Sequence, residues 1–187
     1  MTGIAEAETM NCTTIESPVG PLLLAADESG LRRLEFVNGR KPVQPDPRWH
    51  EDAQYLREAI RQLRAYFAGE LETFDIPLAP EGTPFQLTVW KHLCDIPYGE
   101  TISYGELARR VGNPNASRAV GLANGSNPIA IVVPCHRVLA AGGKMGGFSA
   151  PGGVRTKLRL LSIEGARYGE PALFERLPWV AAPPPRS

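Results

Sequence analysis

Only three of the 187 residues are cysteine, at positions 12, 94 and 135. Three thiols cannot build a disulfide framework, so a reducing setting is expected, where a thiol can stay reactive. The three histidines are as sparse, and no Cys-x-x-Cys or His-x-x-x-His pair occurs. A zinc site needs about four suitably spaced ligands, so no metal is expected. No stretch of about eighteen apolar residues is present, which argues against a membrane-spanning helix. The first twelve residues are acidic, with no basic segment leading into an apolar one, so no secretion signal is expected and the cytoplasm is the expected location. Net charge is missing as well, with twenty Lys and Arg against twenty Asp and Glu.

That zero hides an uneven spread. Residues 103–167 carry nine Lys and Arg and two Asp and Glu, a balance of +7; the remainder carries eleven and eighteen, a balance of −7. A basic part joined to an acidic part suits a protein that meets a polyanion with one face. The plainer alternative is chance clustering on solvated faces. Hydrophobic residues at 43% and charged residues at 21% are ordinary for a globular chain. The length allows one compact domain or two small ones.

Residues 13–15, 22–26 and 31–37 read as short strands separated by the turn signals Ser17-Pro18-Val19-Gly20 and 27–30, an antiparallel meander. Ala53, Leu56, Ile60, Leu63 and Phe67 recur at helical spacing, so residues 51–68 read as an amphipathic helix ended by Gly69. Residues 73–78 read as a further strand, and Pro77, Pro80 and Pro84 as a linker. The division expected is an N-terminal supporting domain over 1–82, a second domain over 83–170 and a flexible tail over 171–187.

The second domain reads as mostly helical. Thr83-Pro84 opens a helix to about Asp95, and Ser103 with Glu106 forms a capping box for a helix over 104–111. Asn113-Pro114-Asn115 turns the chain into a short helix over 116–124, which makes a helix-turn-helix candidate. Many soluble helix pairs share that pattern. A last helix is expected over 154–163.

The chemistry concentrates in "IVVPCHRVLAAGGKMGG", residues 131–147. The apolar run 129–133 reads as a buried strand that stops at Pro134, Cys135, His136 and Arg137. A free thiol at neutral pH is mostly protonated, and a base, a cation or a dry polar pocket raises its thiolate fraction. His136, Arg137 and the glycine-rich loop are candidates for these. Neighbours on a strand point to opposite faces, so His136 must curl at the strand end or act through water. A third group should orient the imidazole, and Glu164, just past the apolar face of the last helix, is a plausible carboxylate. Cys12 and Cys94 read as inert structural thiols.

"PCHRV" at 134–138 resembles the active-site motif of the O6-alkylguanine-DNA alkyltransferases. The likeness extends through "IPYGETISYGELARRVGNPNASRAVGLANGSNPIAIVVPCHRV" at 96–138, and through "SPVGPLLLA" at 17–25 and "LRAYFAGEL" at 63–71. It implies an α+β fold: a small N-terminal antiparallel sheet with a helix, ribonuclease H-like, followed by a mainly helical, winged-helix-like domain with a helix-turn-helix. It also implies DNA repair by direct reversal. The alkyl group moves from O6 of guanine, or less well O4 of thymine, to Cys135, once per molecule and with no cofactor.

The resemblance assigns His136 as base through water and Glu164 as its orienter. Arg118 fills the gap left by the flipped base, which must leave the stack to present its O6. The small Ala119, Gly121 and Ala123 let that helix approach the duplex closely. Tyr104 helps rotate the nucleotide, Asn127 is the hinge, Val138 offers its backbone to the base, and Ser149 donates to O6. Phe148 stands where many relatives have tyrosine and stacks without a hydroxyl. Ala130 and Ala150 replace proline and glycine of some relatives, and the loop 150–153 is longer than in some. The implied partner is double-stranded DNA containing O6-alkylguanine, met by a monomer, with cooperative assembly left open and no membrane. Two other readings stay open: a sensor of alkylated bases that does not repair, against which Cys135 stands, and a Cys-His hydrolase.

Overall fold

A computed structural model describes residues 10–39 and 42–167. The acidic opening residues before Met10 and the tail beyond Arg167 lie outside the described residues. The chain forms β1 (Asn11–Ile15), β2 (Leu22–Asp27), β3 (Gly30–Phe36), β4 (His50–Glu51), α1 (Arg57–Phe67), α2 (Pro84–Cys94), β5 (Ile102–Ser103), α3 (Tyr104–Arg110), α4 (Ser117–Gly125), a 3₁₀ turn (Cys135–Arg137), β6 (Val138–Leu139) and α5 (Val154–Ile163).

The meander forms as the turn signals imply. β1, β2 and β3 are antiparallel neighbours, and β4 adds to β1 in parallel, giving the order β3-β2-β1-β4. Every residue of β2 is buried. Alternation sends Leu22, Leu24 and Ala26 into the main core and Leu23 and Ala25 to the other face, where Cys12 joins them under Trp49 and Val37. That packing accounts for Cys12 as a small hydrophobe. At the β2–β3 corner Gly30 has φ +134° and lies so close to Pro77 that a Cβ would meet its carbonyl oxygen at 2.4 Å.

Three expectations need correction. Helix α1 starts at Arg57, six residues later than the spacing suggested, because His50 and Glu51 pair with β1 and Asp52 Oδ1 accepts the amide of Tyr55 at 2.9 Å. Residues 73–78 make no strand. Only Leu78 bridges to Leu31, Pro77 has no amide to donate, and the backbone of Asp75 is served by the Gln62 side chain instead. Most consequential, residues 129–133 are not a strand. They are buried, but Val132 donates to the carbonyl of Ala130 and Val133 to that of Ile129, so the run coils tightly. Ile131 sits at φ 72°, a left-handed conformation costing on the order of 1–3 kcal/mol for a β-branched residue.

Helices α2, α3 and α4 pack together, with Trp90 Nε1 donating to the Ala123 carbonyl at 2.8 Å. Helix α2 carries a full capping box between Thr83 and Gln86. Helix α3 has only half of one: Ser103 accepts from Glu106, whose own side chain pairs with Arg109 and Arg110. One continuous core joins both halves of the chain. Strand β3 also grips the second half directly, through Leu34 donating to the Pro128 carbonyl and Ala130 donating to Leu34, both at 2.9 Å. No helix of the described residues is long and apolar enough to cross a membrane.

Candidate active site

Pro134 breaks the coiled apolar run, and Cys135, His136 and Arg137 follow as one 3₁₀ turn. The turn does what a strand end could not: Cys135 faces a cavity while His136 and Arg137, its two successors, both reach Glu164. Cys135 is buried and lines a cavity of about 340 Å³. Asn127, Phe148 and Ser149 share that cavity, together with Ala130 and, from the N-terminal sheet, Leu34 and Phe36. The Phe36 and Phe148 rings meet edge-on at 6.2 Å.

His136 is fully buried behind the thiol. Its Nε2 meets Glu164 Oε1 at 2.6 Å, while Nδ1 is buried with no partner among the described residues. Burial pushes the imidazole below its ordinary pKa despite the pull of Glu164, so the ring rests neutral. Burial alone would raise the Glu164 carboxyl, but His136 and then Arg137 outweigh it and hold it at about 2. An ionised carboxylate at Nε2 requires the proton there, which leaves the Nδ1 lone pair as the base.

Arg137 does not serve the thiol, contrary to expectation. Its Nε donates to Glu164 Oε2 at 2.9 Å, its Nη2 to Oε1 at 3.1 Å, and its Nη1 to the Ile96 carbonyl at 2.6 Å. The cation near Cys135 is Lys157, fully buried, its Nζ donating to the carbonyls of Val138 and Met145, each at 2.6 Å. Burial lowers that ammonium to about 8. Burial likewise pushes the Cys135 thiol up, against the side chain of Asn127 and the charge of Lys157. The thiol therefore rests protonated and must lose its proton when the reaction begins.

Asn127 ties together the coiled run after α4, its Nδ2 donating to the Val133 carbonyl at 2.7 Å and its Oδ1 accepting the Ile129 amide at 3.0 Å. Val138 is buried on β6, and its carbonyl, already held by Lys157, has a second lone pair for another donor. Tyr104 opens α3. Its hydroxyl accepts from Asn124 Nδ2, and the same amide reaches the Cys135 carbonyl, both at 3.4 Å. Arg118 is exposed on α4 and makes no hydrogen bond or ion pair among the described residues. The outer face of α4 is Arg118, Ala119, Leu122 and Gly125. Ala123, expected on that face, instead lies buried under Trp90.

Sequence reasoning missed Lys157, Asn124 and Tyr66. Lys157 stands on the buried face of α5 at the spacing of Leu160, Leu161 and Glu164, a cation in an apolar stripe that could have been noticed. Tyr66 sits in the apolar face of α1, and nothing local announces that its hydroxyl meets Glu164.

Comparison with known proteins follows the same two halves. Residues 10–80 match the family model described as 6-O-methylguanine DNA methyltransferase, ribonuclease-like domain, and residues 84–166 the one described as 6-O-methylguanine DNA methyltransferase, DNA binding domain. The chain is 57% identical over 151 residues to a methylated-DNA–protein-cysteine methyltransferase of Methanosarcina acetivorans, covering 81% of this chain and 96% of that one. It is 52% identical over 155 residues to the protein of the same name in Mycobacterium tuberculosis, covering 82% and 92%. The crystal structure of Mycobacterium tuberculosis OGT in complex with DNA superposes with a TM-score of 0.75 at 50% identity, covering 84% of this chain and 92% of that one.

Proposed function

The chain belongs to the 6-O-methylguanine DNA methyltransferase family, and on that premise we propose that Cys135 takes the alkyl group when it repairs alkylated DNA. The observation that carries this reading is a buried thiol on the wall of a cavity, backed by a neutral imidazole whose one unpartnered nitrogen is Nδ1. The lesion is O6-alkylguanine in duplex DNA, with O4-alkylthymine a poorer substrate.

A base inside the duplex cannot reach such a cavity, so the nucleotide is flipped out. Arg118, exposed and uncommitted, enters the gap in the stack, and Tyr104 guides the turning nucleotide. The base lies against Phe148, with the Val138 carbonyl free to accept from its edge and Ser149 donating to O6. The thiol proton passes through a bridging water to His136 Nδ1, and Glu164 holds the imidazolium so formed. The thiolate attacks the alkyl carbon, a carbon–sulfur bond forms, and the carbon–oxygen bond breaks with its electron pair moving onto guanine. Guanine takes up one proton, and His136 returns one to water. The thioether has no leaving route, so the protein acts once. A reactive thiol used in this way suits the reducing cytoplasm.

The test is stoichiometry. With lesion duplex in excess, restored guanine should rise to one per protein molecule and stop. Continued turnover points to a hydrolase, and tight binding without restored guanine to a sensor.

A further inference from the structure

The reaction described above gives no task to one buried hydroxyl that reaches its carboxylate. Tyr66, on α1, is the largest fully buried side chain among the described residues. Its hydroxyl donates to Glu164 Oε1 at 2.7 Å, across 98 residues of sequence. That is the oxygen His136 Nε2 reaches at 2.6 Å. Phe67, Phe74 and Tyr98 surround the phenol ring, with centroids at 5.4, 5.4 and 6.3 Å. The hydroxyl therefore has little freedom to look elsewhere.

We infer that Tyr66 is a positioning residue for proton transfer at Cys135: its hydroxyl fixes the lone pair of Glu164 that His136 uses, so the N-terminal half sets the orientation and basicity of the base. This rests on the reading of His136 as the base. A carboxylate offers about four lone-pair sites. Here Oε1 takes Tyr66, His136 and Arg137, and Oε2 takes Arg137 and, at 3.4 Å, the Gly99 amide. An oxygen shared among three donors offers less to each. Tyr66 thus restrains the pull of Glu164 on the imidazolium while it holds the carboxylate in line. The phenol stays a donor, since burial and then the nearby carboxylate push its ionisation well above the ordinary value. The other groups facing the pair are Arg137 and Cys135 on the 3₁₀ turn, Lys157 on α5, and Tyr98, whose hydroxyl donates to the Ile163 carbonyl. Cys94 on α2 lies within reach of the Arg137 charge. Of these only Tyr66 is supplied by the N-terminal half.

The experiment measures the alkyl-transfer rate at saturating lesion duplex as a function of pH, beside duplex affinity and thermal stability, for the full chain and for Tyr66→Phe. Loss of one such hydrogen bond should slow transfer by about two- to tenfold near neutral pH. The acid limb should move to higher pH because the unrestrained carboxylate stabilises the imidazolium. Duplex affinity should not change. A second probe, 3-fluorotyrosine placed at position 66, is a stronger donor of nearly the same shape and should move the acid limb to lower pH. It keeps the test decisive if Tyr66→Phe folds poorly. An acid limb that stays put with either replacement, whatever happens to stability, overturns the inference. Absence of transfer to Cys135 in the unaltered protein would instead sink the functional reading on which it rests.

Discussion

Residues 10–80 wrap a four-stranded sheet whose strand β2 is buried from end to end, and residues 84–166 pack short helices and turns against it. The charge divides too, with +7 over residues 103–167 and −7 over the rest. The thiol, the imidazole, the carboxylate and the exposed Arg118 all belong to the second half. Yet the boundary does not separate a reactive part from an inert one. β3 hydrogen-bonds to the residues on either side of Ile129, just before the strained Ile131, and Tyr66 reaches the carboxylate behind His136. Chemistry that needs a buried charge network draws on whatever packs against it, and here that is the first half.

The sharpest way to break this division is to remove the thiol. Cys135→Ser should abolish guanine restoration while leaving duplex binding within about twofold in a gel-shift titration, because α4 is untouched. The next largest effect should come from the network both halves share. Glu164→Ala leaves Arg137 and His136 buried without their anion and should lower unfolding free energy by about 3–5 kcal/mol in urea titration.

Acid tests the same network with no mutation. Glu164 has a pKa of about 2 in the folded chain against 4.5 ordinarily, so its contribution is present above pH 4.5 and is lost as pH falls toward 2. His136 lies below its ordinary 6.5, so the unfolded chain takes its proton first and stability also falls as pH drops below that value. The urea midpoint should decline in two stages, the first below pH 6.5 and the second below 4.5. A flat midpoint across that range would contradict the description of the pair.

Smaller effects fall within the second half. Arg118→Ala should weaken duplex binding and slow transfer from duplex DNA, because nothing then fills the gap left by the flipped base. Its reaction with a free O6-alkylguanine base should be unchanged, since no duplex gap needs filling. Thr83→Ala removes the cap of α2 and should cost about 1 kcal/mol of stability with no change in transfer rate.

Much of this could be seen in the linear chain, for reasons that differ from place to place. Strands β1 to β3 are legible because alternation and turn residues are local signals. Helix α5 is legible because its apolar face repeats. The run 129–133 misleads, since a buried strand and a buried coil demand the same apolar residues, and what distinguishes them is the pair of internal bonds from Val132 to Ala130 and Val133 to Ile129 together with the left-handed Ile131. Cys135, His136 and Glu164 come together as expected, but Arg137 turns from the thiol to the carboxylate, a choice made by Ile96 and Tyr98 far away in sequence. Tyr66 looks like any core aromatic until the fold delivers Glu164 to its hydroxyl.

Everything above turns on Cys135, one of three thiols, accepting the alkyl group. Peptide mass mapping, after incubation with duplex DNA carrying a single O6-methylguanine, tests it most directly. One methyl should be added, on the peptide containing Cys135, with Cys12 and Cys94 unmodified and one guanine restored per methyl gained. A methyl found on Cys12 or Cys94, or restored guanine with no gain in protein mass, would contradict it.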